Sequence, residues 1–229
     1  MKRTKRPKSS DYYRVLALRT VGNFLVISSL FMIVKTFYLP IAEEVRYFID
    51  NQTHKTYIVS DHPRPKGLLA HELLDQGNVQ ILTPQDPDFS LIIPKIGANS
   101  RVLSNIDPSD HDAYLAALQK GVAHAEGTLF PGEGGHIFLF AHSTDYFWNV
   151  GAYNAVFYLL YKLGKGDEVD LFYRGHRFIY KVVDTRIVDP TQIEYLTRKT
   201  DKEFLTLQTC WPPGTTFKRF LVFATPIAE

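Results

Sequence analysis

The segment from Thr20 to Ala42 constrains this chain most, because it reads TVGNFLVISSLFMIVKTFYLPIA with a single charge, Lys35. A helix of about 20 mainly apolar residues spans the hydrocarbon core of a bilayer. A central lysine costs roughly 2.5–3.5 kcal/mol on insertion scales, but its long stem carries the ammonium toward the interface. We therefore predict an uncleaved transmembrane helix over residues 20–42. A cleaved signal peptide is the alternative, although no small-x-small cleavage site is evident around Leu39–Glu43.

The residues before this segment are strongly basic. Between Met1 and Thr20 there are seven Lys/Arg and one acid, Asp11. Such an excess is typical of the cytoplasmic flank of a transmembrane helix. We expect residues 1–19 to form a cytoplasmic tail and everything after Ala42 to be exported, which makes the chain a single-pass protein of the cell membrane.

The exported part is acidic. The whole chain has 26 Lys/Arg and 24 Asp/Glu, and removing the seven basic residues and one acid of the tail leaves a formal charge of −4. A globular part with net negative charge binds phosphate backbones poorly. We therefore expect no nucleic-acid partner, although the sequence pI is near 8.5.

Two regions follow the apolar segment. Residues 43–87 are polar, with a turn-rich centre at Asp61–Gly67 (DHPRPKG). They are predicted to form an extracytoplasmic stalk with a short helix at Leu68–Asp75. A globular domain is predicted over residues 88–229.

Short apolar runs bounded by turn residues characterise the globular domain. Helices are predicted over Ala113–Lys120, capped by Ser109 or Asp110, and over Asn154–Leu163. About eight short strands with two or three short helices, and no regular βαβ alternation, favour a mainly β fold built as an antiparallel or mixed barrel. The clearest predicted strands are Phe89–Ile93, His136–His142, Glu168–Tyr173, Arg177–Val188, Glu203–Cys210 and Arg219–Thr225.

Cys210 is the only cysteine of the chain, so an intramolecular disulfide is excluded. A lone cysteine is most often a small buried apolar residue. In an exported domain, however, a spare thiol is open to oxidation and mispairing. A structural and a catalytic role therefore both stay open on this observation alone.

Three residues can form a reactive set around this thiol. Cys210 ends the strand TLQTC, Arg219 begins the next strand after a short loop, and His142 ends the strand HIFLFAH. Antiparallel strands joined by a short loop bring Cys210 beside Arg219. A histidine raises the thiolate fraction, and a guanidinium stabilises the oxyanion of an acyl intermediate. These residue types predict acyl transfer without a metal.

Several neighbours compete with these assignments. His136 shares a strand face with His142, whereas His124 is predicted to lie in a turn. Lys218 could supply the cation instead of Arg219, although the planar fork of arginine suits carbonyl oxygens better. A metal pair of His136 and His142 lacks nearby further ligands, and turn acids are usually solvated, so we predict no metal and no cofactor. The acids that could hold calcium are Glu126, Glu133, Asp145 and Asp167.

These motifs resemble those of sortases, the cell-surface transpeptidases of Gram-positive-type bacteria. TLQTCWPPGT followed by Arg219 is similar to the family pattern TLxTC with a downstream arginine. The resemblance runs from about Asp88 to Thr225. Two positions depart from the pattern, because Ala141 stands where glycine is usual and His136 where asparagine is common. Three further segments fall in family order: FSLIIPKIG (Phe89–Gly97), GTLFPGEGGHIFLFAHS (Gly127–Ser143) and LGKGDEVDLFYRGHRFIYKV (Leu163–Val182).

The resemblance implies a closed eight-stranded β-barrel, with a catalytic domain over residues 88–229. It implies that Cys210 attacks the threonine carbonyl of an LPxTG-like sorting signal in a surface protein and becomes acylated. His142 would protonate the leaving amine and then assist the incoming one, while Arg219 stabilises the oxyanion. Thr209 is expected to add a hydroxyl contact to the substrate. Trp211 either borders the substrate groove or packs the loop after the strand.

The amine acceptor and the final step stay open. A peptidoglycan precursor is favoured over a pilin lysine, because Asp86–Phe89 (DPDF) runs straight into the first strand and leaves no room for a lid. Water could also resolve the thioacyl intermediate, which would make the protein a surface cysteine protease. A non-catalytic, membrane-tethered binding domain is the third hypothesis.

Overall fold

The structure, a computed structural model, describes residues 10–60, 78–143 and 156–227. The chain forms two compact units, Met1–Ala42 and Glu43–Glu229. The predicted helix at Leu68–Asp75 and the candidate calcium ligand Asp145 lie outside the described residues.

Helix α1 (Ser10–Gln52) contains the apolar segment identified in the sequence. Within the described part of the chain, Ser10–Tyr38 is the one stretch long and apolar enough to cross a membrane, judged by length and composition. This confirms the prediction of an N-terminal apolar helix. The helix is longer than the membrane span predicted over residues 20–42. It passes through Pro40 and ends at Gln52, so its last ten residues belong to the second unit.

Eight strands of the second unit form a closed barrel in the order β10-β8-β7-β3-β4-β5-β6-β9, which confirms the predicted barrel. Neighbouring strands are antiparallel, except that β4 pairs with β5 and β6 pairs with β9 in parallel. The barrel strands are β3 (Phe89–Ile93), β4 (Ala98–Ile106), β5 (Val122–Ala125), β6 (His136–Phe140), β7 (Glu168–Tyr173), β8 (His176–Val188), β9 (Phe204–Trp211) and β10 (Lys218–Pro226).

The turn between β7 and β8 shows why the chain reverses there. Arg174 and Gly175 both have positive φ, 50° and 79°, which is the backbone form of a two-residue hairpin turn. Glycine adopts this form without steric cost. The predicted hairpin is therefore confirmed, with β8 beginning one residue earlier than expected.

The barrel interior holds the main core, and three smaller clusters cover parts of its outer surface. Helix α2 (His111–Leu118) packs Leu118 against Phe138 and Phe140 of β6. On the other side of β9, Tyr195 packs against Leu221 and Phe223 of β10. The outer surface of β9 therefore lies between two covered strands.

The first two strands lie within the region predicted to form a stalk. β1 (Thr56–Val59) pairs in parallel with β2 (Val79–Leu82). Their apolar side chains close a small cluster against the barrel, formed by Tyr57, Val59, Leu82, Ile92 and Phe172. Each strand has only four residues, so the apolar pattern is too short to stand out in a polar region of the sequence.

The predicted helix at Asn154–Leu163 is also wrong in its described part. Residues 156–159 form a turn, and Leu160–Lys162 form one turn of 3-10 helix. Phe157, Leu159 and Leu160 are all buried in the main core. An almost unbroken apolar run does not distinguish a helix from an irregular segment buried on several sides.

Candidate active site

Strand register brings Cys210, Arg219 and His142 into one row. β9 lies between β6 and β10, and Cys210 is the direct partner of Arg219 on β10. On the other side, Phe140 pairs with Gln208, and the backbone N–H of Ala141 donates to the Gln208 carbonyl at 3.1 Å. The same offset, continued by two residues, sets His142 beside Cys210. The three predicted residues thus come from three adjacent segments at one end of the barrel.

The three residues also share one face of the sheet. Leu205 and Leu207 of β9 belong to the interior core, so the alternate positions Thr206, Gln208 and Cys210 face outward. Directly opposite residues on neighbouring strands point to the same side. Because His142 and Arg219 lie opposite Cys210, they share its outer face. On this outer face, between the covered strands β6 and β10, Thr206 is buried and Gln208 and Cys210 are half-buried.

Cys210 is a free, half-buried thiol. Burial raises its pKa above the ordinary cysteine value, and the positive charge of Arg219 opposes this shift without cancelling it. The thiol form therefore dominates at neutral pH. A reaction that uses the thiolate as nucleophile needs a nearby base, and His142 is the histidine in register with it.

Arg219 is held by the loop between β9 and β10. Its Nη1 donates to the carbonyl oxygens of Thr216 and Lys218, each at 3.1 Å. Its Nε and Nη2 make no hydrogen bond within the described residues, which leaves donors for an oxyanion. The competing Lys218 instead pairs with Asp189 at 2.6 Å. Of the two cations, Arg219 is the one opposite the thiol.

The two histidines of the β6 segment have different surroundings. His142 is half-buried, and its ring centroid lies 6.4 Å from that of Tyr114 on α2. His136 is buried, its Nε2 lies 2.9 Å from the Thr206 hydroxyl, and burial lowers its pKa to about 4. The two histidines are six positions apart along an extended segment, a distance of about 20 Å. His136 is therefore neutral at pH 7 and too far away to act on Cys210.

His124 is a structural residue and does not lie in a turn as predicted. It belongs to β5 and is fully buried. Its ring stacks on Phe130 at 4.4 Å, and its Nε2 lies 3.0 Å from the Leu129 carbonyl. Burial lowers its pKa, so it remains neutral inside the domain.

Thr209 and Trp211 lie on the opposite side of β9 from the thiol. The Thr209 hydroxyl is buried and donates to the Ala141 carbonyl at 2.9 Å, which ties β9 to the segment that carries His142. The Trp211 ring lies 5.3 Å from Tyr161 and 5.7 Å from Phe220, measured between centroids. Both side chains have packing roles here, and their contact with substrate stays a prediction. Ala141 itself is buried in the main core, which accommodates its methyl group.

Gln208 is a residue of this face that the sequence analysis did not select. It is half-buried, and its side-chain amide has no hydrogen bond among the described residues. It lies two positions from Cys210 on the same face, about 7 Å along the strand. Period-two alternation within TLQTC could have identified it, because residues 208 and 210 of a strand point to the same side of the sheet.

The described candidate calcium ligands do not converge. Asp167 pairs with Lys95 at 2.7 Å, and Glu133 accepts from the backbone N–H of Phe130. No group of three or more metal-ligating side chains occurs within residues 10–60, 78–143 and 156–227.

A family model of the sortase domain matches residues 91–227, more than half of the chain and nearly the whole barrel. The chain belongs to the sortase family. The described sortase domain contains the row of Cys210, His142 and Arg219 within the matched residues.

Individual sortases show the extent of the similarity. Sortase D of Bacillus subtilis strain 168 is 32% identical over 136 residues, which are 58% of this chain and 60% of that relative. The chain therefore spans only three fifths of the curated relative's length. The structure of Streptococcus agalactiae sortase C1 in complex with MTSET matches with a TM-score of 0.51 at 28% identity, over 62% of this chain and 67% of that one. Sortase C-1 from Actinomyces oris shares the fold, with a TM-score of 0.53 at 24% identity, over 83% and 99% of the two chains.

Proposed function

We propose that this chain is a membrane-anchored cysteine transpeptidase that cleaves an LPxTG-like sorting signal and transfers the surface protein to an amine. The observation that carries the proposal is the row of His142, Cys210 and Arg219 across three adjacent segments on one face. Membership of the sortase family supports the same chemistry.

The first half of the reaction forms a thioester. His142 takes the proton of the Cys210 thiol, and the sulfur attacks the threonine carbonyl of the signal. The free N–H donors of Arg219 stabilise the resulting oxyanion. Protonated His142 then gives its proton to the leaving amine, and the carbon–nitrogen bond breaks. The products are the downstream peptide and an acyl group on Cys210.

The second half releases the surface protein. An incoming amine loses a proton to His142 and attacks the thioester carbonyl, and the sulfur leaves and recovers the proton. Water in place of the amine would give hydrolysis by the same path. Which product forms therefore depends on the nucleophile that reaches the thioester first.

The sequence and helix α1 support an arrangement at the cell membrane. Ser10–Tyr38 has the length and composition of a membrane-spanning helix, and the tail before it is strongly basic. A basic flank stays in the cytoplasm. The catalytic unit would then lie outside the membrane, where sorting signals and cell-wall precursors are available.

A cell-wall precursor is the favoured acceptor over a pilin lysine. The backbone N–H of Asp88 donates to the Asp86 carboxylate at 2.9 Å, and Phe89 is buried against Tyr173. The residues Asp86–Phe89 therefore form the turn before β3 and contribute the Phe89 side chain to the core. Phe89 pairs with Tyr173 beside the β7–β8 turn, at the barrel end opposite Cys210. This motif therefore does not form a lid over the Cys210 thiol.

The deciding experiment is mass spectrometry of the full-length chain incubated with LPxTG-like peptides, with and without amines. The amines are a glycine oligopeptide, a peptidoglycan stem peptide and a lysine-bearing pilin peptide. We expect an acyl adduct on Cys210 and a ligated product with the stem or glycine peptide, both absent in Cys210→Ala. Hydrolysed product with every amine would identify a protease instead. Equal peptide binding by Cys210→Ala with no adduct in the unmodified chain would identify a binding domain.

A further inference from the structure

The last ten residues of helix α1 have a half-buried face, whereas the membrane-length stretch Ser10–Tyr38 is not buried. Half-buried side chains recur at helical spacing between Glu43 and Asp50, whereas Val45, Phe48 and Ile49 are 48–62% exposed. This face belongs to the same compact unit as the barrel. Its polar side chains make two separate sets of contacts with that unit.

The first set, the Arg46 anchor, fixes the helix to the small sheet and the loop after β3. Arg46 Nη2 donates to the Ile96 carbonyl at 3.1 Å, and its Nη1 donates to the Tyr57 hydroxyl at 3.3 Å. The Tyr57 hydroxyl in turn donates to Asp50 at 2.6 Å. Glu43 pairs with Arg46 on the helix itself.

The second set, the Glu44 anchor, fixes the helix to the turn before β7. The Tyr161 hydroxyl donates to one carboxylate oxygen of Glu44, and Lys162 Nζ lies 3.1 Å from the other. Lys162 also lies over the rings of Tyr47 and Tyr161, at 5.3 and 4.8 Å from their centroids. Burial, and then the bond to Glu44, raise the pKa of Tyr161, so its hydroxyl remains a donor at physiological pH.

The Glu44 anchor reaches the residues beside the reactive row. The ring of Tyr161 contacts Trp211, and Trp211 contacts Phe220. Trp211 directly follows Cys210, and Phe220 directly follows Arg219. One side chain of α1 is therefore linked, through a single tyrosine, to both strand ends that carry the thiol and the guanidinium.

We propose that Glu44 is a positioning residue for the active site, which acts through Tyr161 and Trp211 to hold Cys210 and Arg219 opposite each other. This inference rests on the proposed catalytic role of Cys210. The end of helix α1, after its apolar stretch Ser10–Tyr38, then contributes to the reaction as well as to membrane attachment. Within the described residues the Arg46 anchor has no such chain of contacts, because Arg46 bonds to the Ile96 carbonyl and the Tyr57 hydroxyl and no ring contact joins Tyr57 to Trp211.

The chain offers a matched control for this idea. Glu43 and Glu44 are neighbours on α1 with similar side-chain exposure, 32% and 34%. Glu43→Ala removes a carboxylate from the Arg46 anchor, and Glu44→Ala removes one from the Glu44 anchor. Tyr161→Phe deletes only the hydroxyl and keeps the ring against Trp211. Since Cys210 is the sole cysteine, its alkylation by iodoacetamide reports on this thiol alone.

The experiment uses the full-length chain in detergent micelles with an LPxTG peptide and a glycine oligopeptide. We expect Glu44→Ala and Tyr161→Phe each to lower kcat about three- to tenfold with little change in KM. The alkylation pH profile moves to lower pH in both, because a looser strand end admits water to the buried thiol. The double variant has a kcat no lower than that of the less active single variant, because both changes remove the same contact. Glu43→Ala leaves kcat and the alkylation profile unchanged.

Two results would overturn the inference. One is an equal loss of kcat in Glu43→Ala and Glu44→Ala, which indicates general destabilisation. The other is a lowered melting temperature in Glu44→Ala with an unchanged alkylation profile and kcat. Failure of the unmodified chain to form a Cys210 adduct would instead contradict the proposed function, and the alkylation comparison separates that outcome from these two.

Discussion

At the scale of single residues, the surroundings of Cys210 decide how the thiol is used. Burial raises its pKa, and the charge of Arg219 acts in the opposite direction. The thiol is therefore kept protonated until a base acts on it. A thiol that stays protonated is also less open to oxidation, because the thiolate is the reactive form.

Replacing Arg219 tests this balance. Arg219→Gln removes the cation that favours the thiolate, so the pKa of Cys210 rises further and the alkylation pH profile moves to higher pH. Loss of the oxyanion donor lowers the acylation rate by about 10²- to 10³-fold.

The matched variant is Arg219→Lys, which keeps the charge but loses the planar fork. We expect it to retain the alkylation profile of the unmodified chain while acylation falls. An unchanged profile in Arg219→Gln would mean that the guanidinium does not act on the thiol. Iodoacetamide alkylation followed across pH, together with single-turnover acylation, gives both quantities.

At the scale of elements, the geometry of the candidate active site depends on how β6, β9 and α2 meet. The Thr209 hydroxyl ties β9 to the segment carrying His142, and α2 covers β6 and brings Tyr114 to the His142 ring. Helix α2 begins at the Asp110 cap, whose carboxylate accepts from the backbone N–H groups of Asp112 and Ala113. A change at this cap therefore affects Tyr114 and, through it, the His142 end of the reactive row.

Asp110→Ala tests this coupling. Loss of the cap destabilises the folded unit by about 1 kcal/mol. A modest fall in kcat accompanies it, because α2 supports the His142 side of the site.

Ser109→Ala is the control. The Ser109 hydroxyl bonds to Asp107 and does not cap the helix, so its loss leaves stability within about 0.5 kcal/mol of the unmodified chain. Urea unfolding measures both variants, and equal destabilisation by the two changes would contradict the assigned cap.

The sequence predicted these elements unevenly, for physical reasons. β3 and β6 are apolar at nearly every position because both faces are covered, so their patterns stand out. The row of three residues followed from strand ends and a short loop. The buried turn at residues 156–162 did not, because its shape is set by packing in the core. The Glu44 anchor could not be predicted either, since it joins residues 117 positions apart.

At the scale of the whole molecule, the boundary after Ala42 separates two units, but helix α1 continues across it. The residues after the boundary are part of the barrel unit through both anchors. Residues 43–60, the described first part of the region predicted as a stalk (residues 43–87), therefore belong to the barrel unit.

Two truncated chains distinguish a spacer from a structural part. A chain beginning at Glu43 keeps both anchors and is expected to unfold at the temperature of the full-length catalytic unit. A chain beginning at Lys55 loses both anchors and is expected to be less stable by about 2–4 kcal/mol. Calorimetry and limited proteolysis compare the two. Equal melting temperatures would mean that residues 43–54 are only a spacer.

The parallel pairing of β6 with β9 has a consequence for the timing of activity. It joins His136 to Phe204, residues 68 positions apart, and it completes the ring of strands. Contacts between such distant residues form late, because the intervening chain must be ordered before they are gained. His142 therefore meets Cys210 only when the barrel closes. A chain whose barrel has not closed therefore lacks the row of His142, Cys210 and Arg219, and this row forms in the same step that completes folding.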